Sequence, residues 1–143
     1  MRTASTIASD LDTTRRRTLL QEAAIGAVAA TAANAAIWAA GRAADTSFLV
    51  TPVGSDTAMR VGLVLVVLTT LITFAVGMGL FALAARRSDQ RARAVLIAGV
   101  LVAVVSTTGP LSTAEDTASG VLLATMHLLT GAAFAITAAR AQR

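Results

Sequence analysis

Cysteine is absent from this 143-residue chain, and so is lysine. The first absence excludes disulfide frameworks, thiol redox chemistry and cysteine-based metal sites. The second leaves all twelve basic residues as arginine, which reads as the base composition of a GC-rich bacterial genome and not as chemistry. Aromatic residues make up 3%, too few for a base-stacking surface, so no nucleic-acid partner is expected. Charged residues are only 14%, against roughly 25% in ordinary soluble proteins. The single histidine means that bis-histidine haem ligation would need two copies of the chain. With no phosphate loop, paired catalytic carboxylates or metal-ligand cluster in the sequence, no cofactor, metal site or catalytic residue is expected, and the chain reads as non-enzymatic.

What the chain has in quantity is apolar surface. Hydrophobic residues make up 55%, and the mean hydropathy is +0.71. The length suits one domain. Residues 1–17 are polar and read as a disordered cytoplasmic tail. The domain proper spans 18–140, and residues 141–143 form a second short tail. Four apolar runs follow one another, at about 19–40, 61–85, 94–111 and 117–139. Each has the roughly 18–25 residues that a helix needs to cross ~30 Å of hydrocarbon. Thr18-x-x-Gln21 and Ser112-x-x-Glu115 read as capping boxes for the first and fourth runs.

Charge placement sets orientation. With the N-terminus inside, ten arginines fall inside (Arg2, Arg15, Arg16, Arg17, Arg86, Arg87, Arg91, Arg93, Arg140, Arg143) and only Arg42 and Arg60 fall outside. Both termini are then cytoplasmic, which demands an even number of spans and agrees with four. The alternative is a twin-arginine export signal at Arg16-Arg17-Thr18-Leu19-Leu20, but three further spans follow it where an exported soluble domain would be. Short loops between neighbours give an all-α fold, an antiparallel up-down-up-down four-helix transmembrane bundle. Its expected place is the bacterial cytoplasmic membrane. The longest connection, residues 41–59, is expected outside. Its Phe48-Leu49-Val50 patch reads as dipping into the interface, and Trp38 as an interfacial anchor.

Small residues recur at four-residue spacing in every span, with Gly26, Ala30 and Asn34 in the first, and Gly120, Ala124, Gly131 and Ala135 flanking His127 in the fourth. Such faces let membrane helices approach closely, against each other, a second copy or another membrane protein. At ~1.5 Å per residue, Asn34 lies about 9 Å and His127 about 15 Å from the outer ends of their spans. Ser106 and Thr107 lie at a depth similar to Asn34's, and Thr69 and Thr70 at a depth matching His127's. A polar cluster in the outer half of the bundle is therefore expected from Asn34, Thr69, Thr73, Ser106, Thr107 and His127. The stretch "VLLATMHLLTG" places His127 in an apolar run, where a polar group usually faces the protein interior. The ordinary reading is a hydrogen bond to Asn34, Ser106, Thr107 or a backbone carbonyl. Proton relay or ligand contact is the functional one. Ser106 with His127 lacks the G-x-S-x-G setting of a hydrolase. Glu22 lies at the cytoplasmic edge, unlike the deep carboxylate of small multidrug transporters.

The order of "ANAAIW", "ADTSF", "STTGPL" and "MHLLTG" resembles an uncharacterised family of small bacterial membrane proteins, the domain-of-unknown-function family sixty-sixty-nine, over about residues 20–140. The resemblance implies four membrane helices and supplies no activity. Two functions are carried forward. One is a structural or accessory role with helix-packing interfaces. The other is a small-molecule or proton-coupled transporter or ligand-binding bundle that uses the cluster around His127. An interior of packed Ala, Gly and Thr with no cavity at His127 favours the first, and a hydrated pocket open to the outer face favours the second. The cysteine-free chain allows a direct orientation test: a cysteine at position 48 should label only from outside, and labelling only from the cytoplasmic side would overturn the orientation.

Overall fold

The computed structural model describes the backbone of residues 4–142 and the side chains of residues 18–142. Within that range the chain is helical apart from one small hairpin. Helix α1 spans Ala4–Ala43, strands β1 and β2 are Leu49–Val50 and Met59–Arg60, and helices α2, α3, α4 and α5 are Leu63–Ala85, Asp89–Val105, Thr108–Thr113 and Thr117–Arg140. Four stretches are long and apolar enough to cross a membrane: Thr18–Ala43, Leu63–Ala85, Asp89–Thr113 and Thr117–Arg140. Helix α1 packs against α2 and α5, while α3 packs against α5 and α2 and the short α4 lies on α5.

Several boundaries differ from the sequence reading. Helix α1 starts at Ala4, so Thr18 is interior to it and is not a cap. The segment expected as a disordered tail is helical from Ala4. It holds no glycine or proline after that point, and extending an existing helix costs far less than nucleating one. Its side chains, including Arg15, Arg16 and Arg17, lie outside the described residues, as does Arg143. Helix α5 is capped by Asp116, whose carboxylate accepts from the Ser119 backbone N–H at 2.7 Å. The expected box, with its cap at Ser112, lies four positions too early: Ser112 is inside α4 and donates to Gly109, while Glu115 accepts from Thr51. Helix α3 begins five residues early, since Ser88 Oγ caps the Arg91 N–H and shortens the inner loop.

The third apolar stretch is broken at Ser106 and Thr107. Pro110 explains the break. It has no N–H to give to the Ser106 carbonyl four residues back, and its ring would collide with that group. Proline is tolerated instead in the first turn of α4, where N–H groups have no intrahelical partner.

The 41–59 connection is ordered. The hairpin pairs Leu49 with Arg60 and Val50 with Met59, and Val50 forms a further bridge with Ala114 at the foot of α5. Phe48 does not dip into an interface: it is fully buried, in a left-handed conformation (φ 51°), against Val66, Leu123 and Met126. Trp38 stacks on it at 6.2 Å and donates to the Val61 carbonyl at 2.9 Å, so its indole is engaged inside the fold rather than as a lipid anchor. Gly41 makes room, because a β-carbon there would stand 2.6 Å from the Phe48 ring. A cysteine at 48 would be shielded, and Val53, 94% exposed at the hairpin tip, is the better labelling position.

A polar knot ties this cap to α5. Ser47 and Ser119 hydroxyls donate to Asp116 Oδ2 at 2.6 and 2.7 Å, and Ser119 Oγ accepts from the Phe48 N–H at 2.9 Å. The Ser47 hydroxyl first, then the Ser119 hydroxyl and N–H, hold the Asp116 carboxyl below its ordinary value of 3.8. The folded protein therefore binds that proton less readily than the unfolded chain. The stabilisation is fully present above the unfolded value and is lost as pH falls through the folded one. Asp116→Asn should lower the melting temperature in detergent at pH 7, and the gap to wild type should narrow only as the pH falls below 3.8 and through the lowered folded value. A gap independent of pH would refute a charged Asp116 as the tie.

Candidate functional site: a cleft between α2, α3 and α5

A cavity of 770 Å³ lies between α2, α3 and α5 and reaches Asn34 on α1. Phe134 forms its floor, seated between Gly77 and Gly99, where added β-carbons would approach the ring at 3.3 and 2.5 Å. Val50, Val61, Gly109, Pro110 and Thr113 form its roof, all from the cap and the broken end of the third stretch. Between floor and roof the inward side chains are mostly short, so the space stays unfilled. The α3–α5 distance is set by Gly131, where a β-carbon would stand 2.3 Å from that of Ala103. On α2, Leu65, Thr69, Thr73, Val76 and Leu80 recur at three- and four-residue spacing. All five line the cavity and all are exposed. Ala98 and Val102 do the same on α3. The cleft thus opens sideways between α2 and α3, beneath its roof.

Five of the six residues expected in a polar cluster line this cleft: Asn34, Thr69, Thr73, Ser106 and His127. Thr107 does not. It precedes α4, and its hydroxyl donates to the Val104 carbonyl. The five line the same cleft from four sides of the bundle without forming one hydrogen-bonded network. His127 is exposed to the cleft and bonded to none of the others. Its Nδ1 lies 2.7 Å from the Leu123 carbonyl, one turn back. A carbonyl only accepts, so Nδ1 carries a hydrogen, and in the tautomer with a single ring hydrogen Nε2 holds a lone pair. Ser106 Oγ likewise donates to the Ala103 carbonyl at 2.9 Å, not to His127. Glu22 is not part of the lining.

Asn34 is the most constrained residue here, 2% exposed. Its Nδ2 donates to Thr70 Oγ1 at 3.0 Å and to Thr130 Oγ1 at 2.9 Å. Those hydroxyls donate in turn to the Val66 and Met126 carbonyls, which leaves them only lone pairs to offer and fixes the amide with its NH₂ between them. Asn34 Oδ1 is then enclosed without a donor, and among the described residues Thr31 Oγ1 is the other such atom. The sequence reading set Thr70 at the depth of His127 but left it out of the cluster, and it missed Thr130. Thr130 was legible as the polar residue three positions after His127, on the same helical face. Thr70 required knowing which of two adjacent threonines turns toward α1.

Four apolar helices, one of them broken by proline, around a side-opening cleft under a small β-cap define a class of compact all-helical proteins. The chain belongs to a family described as Family of unknown function (DUF6069), whose sequence profile matches residues 14–143. The match therefore includes Arg15 to Arg17, which the resemblance had left outside. No curated protein matches the chain, and no solved structure does.

The Asn34 junction makes a measurable prediction. Asn34→Ala and Thr130→Val should each destabilise the protein. Their double-mutant cycle should give a coupling of about 0.6 kcal/mol, and no more than about 1.7, if the helices lie in lipid. Additive effects in thermal or denaturant unfolding would show that the bond contributes nothing.

Proposed function

We propose that this protein is a non-enzymatic bundle of four membrane-spanning helices that holds a largely apolar small molecule in the cleft between α2, α3 and α5. The helices run antiparallel, up-down-up-down, in the bacterial cytoplasmic membrane, with the β-cap outside and both termini in the cytoplasm. The cavity carries this reading. Packed interiors keep few voids larger than a water molecule, whereas small-molecule pockets run to roughly 300–1,000 Å³ with mostly apolar walls and a few polar groups. At 770 Å³ the cleft belongs with the pockets. A purely structural role accounts for the Gly131–Ala103 contact but gives no reason for the unfilled space beside it. The arginines support the orientation: Arg86, Arg87, Arg91, Arg93 and Arg140 flank the helix ends away from the cap, against Arg42 and Arg60 beside it. A lateral mouth between two apolar helices favours a ligand that arrives through the lipid. Binding without turnover is supported by Ser106 and His127, whose protons are committed to carbonyls of their own helices.

Purification in mild detergent, solvent extraction and mass spectrometry test the reading. Wild-type protein should carry a bound amphiphile. Thr73→Phe, which places a ring in the mouth without removing a buried contact, should lower its occupancy at least about tenfold, equivalent to ~1.4 kcal/mol, with the melting temperature unchanged. Equal recovery from both proteins, or none from wild type, would refute the cleft as a binding site.

A further inference from the structure

Resting on that reading, we propose that the cleft selects a ligand that donates hydrogen bonds: a neutral hydroxyl group on a long apolar chain. The polar wall is one-sided. Thr69 Oγ1 donates to the Leu65 carbonyl at 2.7 Å, Ser106 Oγ to Ala103 at 2.9 Å, Thr113 Oγ1 to Gly109 at 2.8 Å and Thr130 Oγ1 to Met126 at 2.9 Å. Both N–H bonds of the Asn34 amide go to threonine oxygens, and His127 Nδ1 gives its proton to Leu123. After these commitments the wall offers lone pairs: hydroxyl oxygens and, at its centre, His127 Nε2. Only Thr73, on the rim, keeps an uncommitted hydroxyl among the described lining residues.

This inventory discriminates among head groups. A carboxylate, phosphate or quinone carbonyl brings acceptors to acceptors and leaves its own oxygens unpaired in an apolar cleft, which is costly. An ammonium brings donors, but no acidic residue lines the cleft to balance its charge. A hydroxyl brings one donor and no charge. It pairs with Nε2 while its chain lies along Leu65, Val76, Leu80 and Val102 toward the mouth. The same group occurs on membrane lipids and on small water-borne alcohols, and the lateral mouth selects the first.

The single histidine gives a clean probe. The full chain, labelled with ¹⁵N-histidine and held in phosphatidylcholine nanodiscs, whose lipid has no hydroxyl, is observed by NMR in buffer alkaline enough to keep imidazole neutral. Without ligand, Nδ1 should be protonated and Nε2 bare. Hexadecanol should shift Nε2 in a saturable way, at least about tenfold more tightly than hexadecyl methyl ether or hexadecanoate. Thr73→Phe should abolish that shift and leave the Nδ1 signal in place. Ether or carboxylate binding as tightly as the alcohol would overturn the donor requirement while leaving the cleft a ligand site, and so would a ligand-free Nε2 found protonated. A response to hexanol but not to hexadecanol would overturn entry from the lipid. No saturable response to any of the four would overturn the donor requirement and the binding function together.

Discussion

The fold depends on one amide group. Asn34 joins α1 to α2 through Thr70 and to α5 through Thr130 from a site that is almost wholly enclosed. Apolar packing alone specifies α1 poorly, because its face is alanine after alanine and one alanine packs much like another. If the helices lie in lipid, no solvophobic force draws them together, and small-residue contact and a few polar pairs must set register. Rotating α1 by one residue, about 100°, would carry the amide out of reach of both threonines and leave it unpaired. The net energy of such a bond is modest. Its contribution is to make wrong registers expensive.

The cap follows from the junction and from Pro110. Asn34 fixes the register of α1, which puts Gly41 under the Phe48 ring and Trp38 beside it. The proline break turns α4 across α5, where Gly120 lies 3.3 Å, measured from an added β-carbon, below the Pro110 carbonyl. That turn brings Thr113, Ala114 and Glu115 alongside β1, and the loop gains backbone pairing it has no other way to make. A straight third helix would have carried Pro110 and Thr113 away from β1. The cleft would then have had no roof.

The helices were legible because apolar runs of membrane length admit almost no other structure, and charge bias supports the count independently. Five of the six residues grouped by depth line the cleft, since residues at similar height in a bundle come near one another if their faces agree. Face is where the sequence runs out. Thr69 and Thr70 are neighbours in sequence and both border the cleft, yet only Thr70 pairs with Asn34, and only helix rotation decides which. The cap was missed for a related reason: Phe48 reads as an interfacial residue until a left-handed turn points its ring inward. Asp116 was missed because the Ser112-x-x-Glu115 pattern fits a capping box, and only the α4 turn shows that Ser112 lies in another helix.

A further consequence comes from the helix itself. In an apolar surrounding, serine and threonine within a helix satisfy their hydroxyl hydrogens on the carbonyl three or four residues back, because no water competes for that donor. His127 makes the same choice with Nδ1. A cleft walled by such residues is left with acceptors whatever its detailed shape, so the bias arises from helix geometry before any ligand is considered. Asn34 might have broken the pattern by turning its NH₂ inward, but Thr70 and Thr130 claim both hydrogens. The bond that fixes the register of α1 therefore also commits both amide hydrogens, and among the described lining residues it leaves Thr73 as the one with an uncommitted hydroxyl.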